Sequence, residues 1–169
     1  MSNMRQFDGL VNFDFFTSTH RISGQVETGN KLLSDILNDR SQSYLLVFNV
    51  YVSQLGDPGT IGAHAPTAYL SKENVTFVIV PSREVHRPDQ GRFSSQQYQA
   101  LVTLPGVEVR GDFSGPHRFD LRTFSPAALD AFVVLRQASA QLVDLPDVTF
   151  GGEAILVNRA RVESFCLSE

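Results

Sequence analysis

The chain has 169 residues, a length that suits one domain of ordinary size or two small ones. Apolar residues make up 42% and charged residues 19%, which is the composition of a globular protein and excludes an intrinsically disordered one. The net charge is −4, and the 14 Lys and Arg are scattered along the sequence. Because nucleic-acid binding depends on clustered positive charge, no DNA or RNA partner is expected.

Membrane and export signals are absent from the sequence pattern. The apolar runs are far shorter than the roughly 18 residues that span a bilayer, and residues 1–9 have no apolar signal segment. The single cysteine, Cys166, has no partner for an internal disulfide. Together these features predict a bacterial cytoplasmic protein with no membrane partner. Cys166 is predicted to be a buried core side chain, because it stands between Phe165 and Leu167.

The first predicted elements are two strands, over residues 12–18 and 20–28. Gly24 in the second strand indicates a bulge or a close backbone approach. A short helix is predicted over 31–38, where four apolar residues form one stripe, and it is expected to plug one end of the sheet. The stripe consists of Leu32, Leu33, Ile36 and Leu37.

A continuous apolar run over 44–53 predicts a third strand that is buried on both faces. Residues 54–67 are rich in Gly and Pro and predict a loop. Residues 68–70 and 75–80 predict a hairpin that closes the first half of the chain.

A polar linker is predicted over 82–96, because this segment contains Pro and Gly and is long for a loop inside one compact domain. The second half is expected to repeat the order of the first, with a poorer helix at 118–124 and a closing hairpin of the last two strands. Its predicted strands are 98–104, 107–113, 129–135, 153–157 and 162–167.

The two halves of the sequence follow one pattern of elements, and an offset of 87 aligns Gly24 with Gly111 and Val75 with Val162. The hydrophobic pattern supports the alignment more than identities do, and the alternative is a single β domain with evenly spaced strands. We therefore predict a mainly β fold: two related small β-barrel or half-barrel units, each with one short helix, packed together. The predicted boundaries are 1–81 and 97–169.

The segments 20–26 and 31–38 resemble a small bacterial β-rich domain family of unknown function. Its core motif has the form Arg/Lys-Leu-x-Ser-Asp-x-Leu-Asn, which corresponds here to residues from Lys31 to Asn38. The segment 157–162 is similar to the terminal hairpin of that family. The resemblance covers most of the first half and implies a small β-rich fold, duplicated in this chain, with no known activity.

Candidate binding residues fall in two places. Ser34, Asp35 and Asn38 either bind a polar molecule on the exposed face of the short helix or cap that helix and nearby turns. In the linker, four basic side chains are candidates for an anion or nucleotide site; Arg83 and Arg87 also have the spacing of a cyclic-dinucleotide motif whose second element is missing. The four residues are Arg83, His86, Arg87 and Arg92.

No catalytic residue, metal site or cofactor is predicted, because the histidines at 20, 64, 86 and 117 lack ligand spacing. A spatial cluster of His64, His86 and a carboxylate is left open. The sequence favours a non-catalytic protein-interaction or regulatory module that binds an unknown protein, with a homodimer as a further expectation. The alternative is a small-ligand binder at the junction of the halves, and an enzyme of unknown class ranks third.

Overall fold

The structure, a computed structural model, describes residues 9–86, 95–116, 120–123 and 130–168. These residues form ten strands, one α-helix and short 3-10 turns. The helix is α1 (Leu33–Asn38). The strands are β1 (Leu10–Phe16), β2 (His20–Glu27), β3 (Tyr44–Gln54), β4 (Asp57–Ser71), β5 (Phe77–Val80), β6 (Ser95–Leu104), β7 (Val107–Pro116), β8 (Phe132–Leu142), β9 (Thr149–Asn158) and β10 (Ser164–Ser168). The 3-10 turns are Lys72–Asn74, Ser82–Glu84, Leu121–Thr123 and Arg159–Arg161.

All ten strands belong to one antiparallel sheet, in the order β10-β6-β7-β8-β9-β5-β1-β2-β3-β4. The first half (residues 9–86) supplies β5-β1-β2-β3-β4 and the second half (residues 95–168) supplies β10-β6-β7-β8-β9. Strands β9 and β5 join the halves at the centre. The prediction of a mainly β fold is confirmed, but the barrels are wrong, because within the described residues no ladder joins the edge strands β4 and β10.

Four of the five strands in each half have registers that agree at a spacing of 87 residues, whereas β3 and β8 are related by a spacing of 88. Phe15 pairs with Val78 across β1 and β5, and Val102 pairs with Phe165 across β6 and β10. Both members of the second pair lie 87 positions after those of the first. By position in the sheet, β5 lies beside β1 as β10 lies beside β6, and β4 lies beside β3 as β9 lies beside β8.

Each half contains one bulge at a glycine. The β2–β3 ladder shifts at Gly24 opposite Asn49, whose φ is 50°, and the β7–β8 ladder shifts at Gly111 opposite Gln137, whose φ is 47°. A Cβ on Gly24 would overlap the side chain of Val47. The bulge and close approach predicted for Gly24 are confirmed, and the strand bends there over its own core.

A separate hydrophobic core lies on each face of the sheet. Phe77 packs in the core of the second half, whereas the next residue, Val78, packs in the core of the first half. Val157 and Leu156 on β9 divide in the same way. Strand β5 and the part of β9 from Ala154 to Asn158 are thus buried on both faces, because their alternate side chains belong to the two different cores.

Strands β3 and β4 depart from the predictions. Strand β3 alternates buried and exposed positions and leaves Tyr44, Leu46 and Tyr51 exposed, so the prediction of burial on both faces is wrong. Residues 54–67 are not a loop, since most of them belong to β4. Strand β4 tolerates its prolines because it is an edge strand, where an unpaired position needs no amide donor.

Both predicted closing hairpins are wrong as well. Strand β5 pairs with β1 and β9 rather than with β4, and β10 pairs with β6 rather than with β9. In each half a 3-10 turn, Lys72–Asn74 or Arg159–Arg161, separates the two strands. Asn158 closes the first of these turns from the other half: its side-chain amide donates to the carbonyl oxygen of Val75 at 2.8 Å.

Candidate functional site

The helix motif and the linker histidine, which are 51 residues apart in sequence, meet at the surface. The imidazole Nε2 of His86 lies 2.7 Å from the carboxylate Oδ1 of Asp35. The guanidinium of Arg136, on β8, donates to the carbonyl oxygen of His86, and burial lowers the pKa of Arg136. Because the His86 and Asp35 side chains are 71% and 46% exposed, their contact contributes little to stability.

The remaining polar contacts of α1 hold it in place. The Asn38 side-chain oxygen accepts from the backbone amide of Phe132 at 2.8 Å, which ties the helix of the first half to a strand of the second. The Glu84 carboxylate accepts from the amide of Leu33 at 3.3 Å. At the other end, Lys72 donates to the carbonyl oxygen of Ile36 at 2.6 Å, and desolvation lowers the pKa of this lysine.

The contacts of α1 show which of its motif residues are engaged within the fold. Asn38 accepts from a backbone amide of a neighbouring strand rather than capping its own helix, and a polar ligand at Ser34, Asp35 and Asn38 stays a prediction. Ser34 is buried, and its hydroxyl has no hydrogen-bond partner within the described residues. Leu33 and Leu37 of the apolar stripe are buried in the first-half core, whereas the expectation that the helix plugs one end of the sheet stays a prediction.

The four candidate anion ligands are only partly within the described residues. Arg83 is an exposed side chain, 3.9 Å from the carboxylate of Glu84, and His86 is bound to Asp35. Arg87 and Arg92 lie outside the described residues. An anion or nucleotide site at the junction stays a prediction.

His64 and His86 have different partners. The imidazole of His64 is 3.0 Å from the side-chain oxygen of Asn49 and stacks on Tyr51 with ring centroids 4.4 Å apart. Among the residues that the structure describes, no group of three His, Cys, Asp or Glu side chains could hold a metal ion.

The sheet edge β4 is the exposed feature that the sequence analysis missed, since it was predicted as a loop. From Pro58 to Ser71 the sequence has no Asp, Glu, Lys or Arg. Tyr69 on this strand is 79% exposed and packs edge-on against Tyr44 of β3, with centroids 6.4 Å apart. The signal in the sequence was the long uncharged stretch, because loops of this length normally contain charged residues.

The opposite edge, β10, is also uncharged between Ser164 and Ser168. Cys166 is exposed there, so its predicted burial is wrong. Strand alternation turns its neighbours Phe165 and Leu167 toward the second-half core, where they are partly buried. The hydroxyls of Thr103 and Ser164 lie 2.6 Å apart in an exposed position.

Each half also has a shallow depression beside its bulge. The depression near Gly24 has a volume of about 250 Å³, and the one near Gly111 about 370 Å³. The first contains Asp14, whose carboxylate already accepts from Arg21 at 3.1 Å and from Ser23 at 2.5 Å. Both depressions are lined by residues other than the candidate linker ligands.

Comparison of the chain with family models, with curated proteins and with solved structures gives no match. The resemblance to a small bacterial domain family stays a prediction. In the described part of the chain, no helix has the length and apolar character needed to cross a membrane.

Proposed function

We propose that this protein is a non-catalytic interaction module that binds another polypeptide along the edges of its sheet. One observation carries the proposal: among the described residues β4 has a single partner strand, and it is mostly exposed and free of charged side chains from Pro58 to Ser71. The outward amide and carbonyl groups of an edge strand bind an added strand through main-chain hydrogen bonds. Native proteins prevent such pairing with charged side chains, prolines or bulges at the edge. The first part of β4 contains Pro58, Pro66 and a bulged register, but the segment from Thr67 to Leu70 has none of these features.

The central junction supports the same proposal. Strand β9 occupies in the second half the place that β4 occupies in the first, and β9 has β5 paired against it. We take the two halves to be repeats of one small β unit. On that view β4 and β9 are versions of one edge, and the edge on β9 already has a partner strand.

Site-specific photo-crosslinking in cells tests this function. The photoreactive amino acid p-benzoyl-phenylalanine replaces Tyr69 on β4, and in a control chain it replaces Val143, which is 53% exposed in the turn after β8. We expect a covalent adduct with a discrete polypeptide from position 69 and none from position 143. Equal labelling from both positions, or no adduct from position 69, would contradict the proposal.

A further inference from the structure

We infer that the polypeptide bound at these edges is a second copy of this chain, with β4 of one copy pairing antiparallel to β10 of the next. The inference rests on the proposed function and adds the identity of the partner. It is drawn from the central junction, where the edge that corresponds to β4 pairs with the edge that corresponds to β10.

The junction also fixes the register between copies. Within the chain, β9 and β5 pair as Val157 with Phe77, Leu156 with Val78, Ile155 with Ile79, and Ala154 with Val80. Moving the β9 residues back by 87 and the β5 residues forward by 87 gives the register between β4 and the partner strand. The resulting pairs are Leu70 with the partner's Ser164, Tyr69 with the partner's Phe165, Ala68 with the partner's Cys166, and Thr67 with the partner's Leu167.

The side chains at this register are suited to pairing. Tyr69, now 79% exposed, would lie directly opposite the partner's Phe165, and aromatic cross-strand pairs stabilise antiparallel sheets. The corresponding residue at the junction, Leu156, is fully buried. Pro66 lies one residue outside the four-residue ladder, so its missing amide removes none of these bonds. Neither segment carries a charge that would repel the other.

The contact between copies is expected to be weaker than the junction within the chain. At the junction, the rings of Phe16 and Phe77 stack 4.3 Å apart and are fully buried. Thr103 and Ser164 stand at the corresponding positions on the free edge. Hydroxyls in place of two phenyl rings reduce the apolar area that pairing can bury, which predicts reversible association.

The geometry of this contact is head-to-tail, because β4 and β10 are different surfaces. Such heterologous pairing leaves one edge of each kind free in every linear assembly, and it ends only when the copies close into a ring. The sequence led us to expect a homodimer. The β4–β10 contact adds that the two copies use different surfaces, so no two-fold axis passes through this contact.

The native Cys166, the single cysteine of the chain, provides a direct test of the register. The variant Ala68→Cys places a second thiol opposite the partner's Cys166. Directly opposed strand residues have Cα atoms about 4.5–5.5 Å apart, within disulfide range. Positions 68 and 166 lie on the two outermost strands of one chain, so a bond between them joins two copies.

On mild oxidation we expect Ala68→Cys to form disulfide-linked multiples of the 18.7 kDa chain, with peptide mapping that identifies the bond between residues 68 and 166. The matched control is Ala65→Cys, which is displaced by three residues, about 10 Å along the strand, and should not form this bond. In sedimentation, wild-type protein should associate with rising concentration, and Tyr69→Lys should remain a monomer at the same concentrations.

A wild-type chain that stays monomeric, or equal disulfide yields at positions 65 and 68, would overturn the inference. The two proposals fail separately. If Tyr69 photo-crosslinks to a different protein while Ala68→Cys gives no bond to Cys166, the edge binds another partner and only the identity of that partner is wrong. If position 69 gives no adduct at all, edge binding itself is wrong.

Discussion

The β9–β5 junction and the free edge β4 have the same place in their two halves but opposite surroundings. Leu156 at the junction is fully buried, whereas Tyr69, 87 residues earlier, is 79% exposed. Phe77 at the junction stacks on another phenyl ring, whereas Ser164, 87 residues later, bonds a hydroxyl. Fully buried apolar side chains therefore mark the strands that pair within the chain, whereas an exposed tyrosine and a hydroxyl occupy the matching positions at the open edges.

We expect the largest loss of stability from a substitution at the β9–β5 junction. Phe77→Ala removes a fully buried ring that stacks on Phe16, and the cavity should lower the free energy of unfolding by about 3–5 kcal/mol. Ser164→Ala, at the corresponding position of the free edge, should change it by no more than about 0.5 kcal/mol. Urea unfolding measures both.

Phe77→Leu is the second variant, in case the alanine variant does not fold, and it should lose less than Phe77→Ala because more of the core volume is kept. Similar losses for Phe77→Ala and Ser164→Ala would mean that the two edges are equally buried. That result would contradict the distinction drawn between them.

Substitutions at the two bulges are expected to lower the free energy of unfolding by an intermediate amount. A Cβ on Gly24 would overlap Val47, and one on Gly111 would lie 2.8 Å from the Cβ of Ala138. Gly24→Ala and Gly111→Ala should therefore each cost about 1–3 kcal/mol through overpacking. Gly59, in open space on β4, is the control, and its change to Ala should be neutral or stabilising by up to about 1 kcal/mol. Thermal and urea unfolding would show whether the halves respond alike.

The smallest expected effect concerns a polar contact across the junction. The hydroxyl and the backbone amide of Ser82 donate to the Glu153 carboxylate at 2.6 and 3.2 Å, and these bonds lower the pKa of Glu153 below its usual 4.5. The carboxylate therefore stabilises the fold above pH 4.5, and this contribution is lost as the pH falls through the lowered pKa.

Glu153→Gln should accordingly be slightly less stable than wild type at neutral pH, with the difference vanishing in acid. Midpoints of thermal unfolding from pH 7 down to pH 3 measure it. A difference that is constant over this range would show that the Glu153 charge plays no part in the junction.

Strands with local signals could be predicted from the sequence. The pairs β1–β2 and β6–β7 follow alternating patterns, and the second is closed by Pro105-Gly106, where Gly106 has a φ of 73°. Strand β4 could not be predicted, because its Gly and Pro content is that of a loop and only the edge position makes it compatible with a strand. The hairpins failed because partners far along the chain replaced the nearest ones.

The sequence indicated individual residues of the candidate site but not the contact between them. Asp35 and His86 were each singled out, but nothing local to either residue indicates that they meet, because their contact depends on how the turn after β5 passes α1. The Arg136 contact with the His86 backbone had no sequence signal of its own. Exposure at the edges, including Cys166, depends on the sheet being open, which no local pattern determines.

Phe16 and Phe77 are synthesised early but are buried in a core that is formed mainly by residues synthesised late. The strands β1 to β5 are complete once residue 80 has left the ribosome, yet a later strand of this core, β9, ends at residue 158. Chains in mid-translation therefore expose two stacked phenyl rings and the β9-facing edge of β5 to water. Nascent chains are at their greatest risk of aggregation in that interval, and a chaperone that shields β5 should raise the yield.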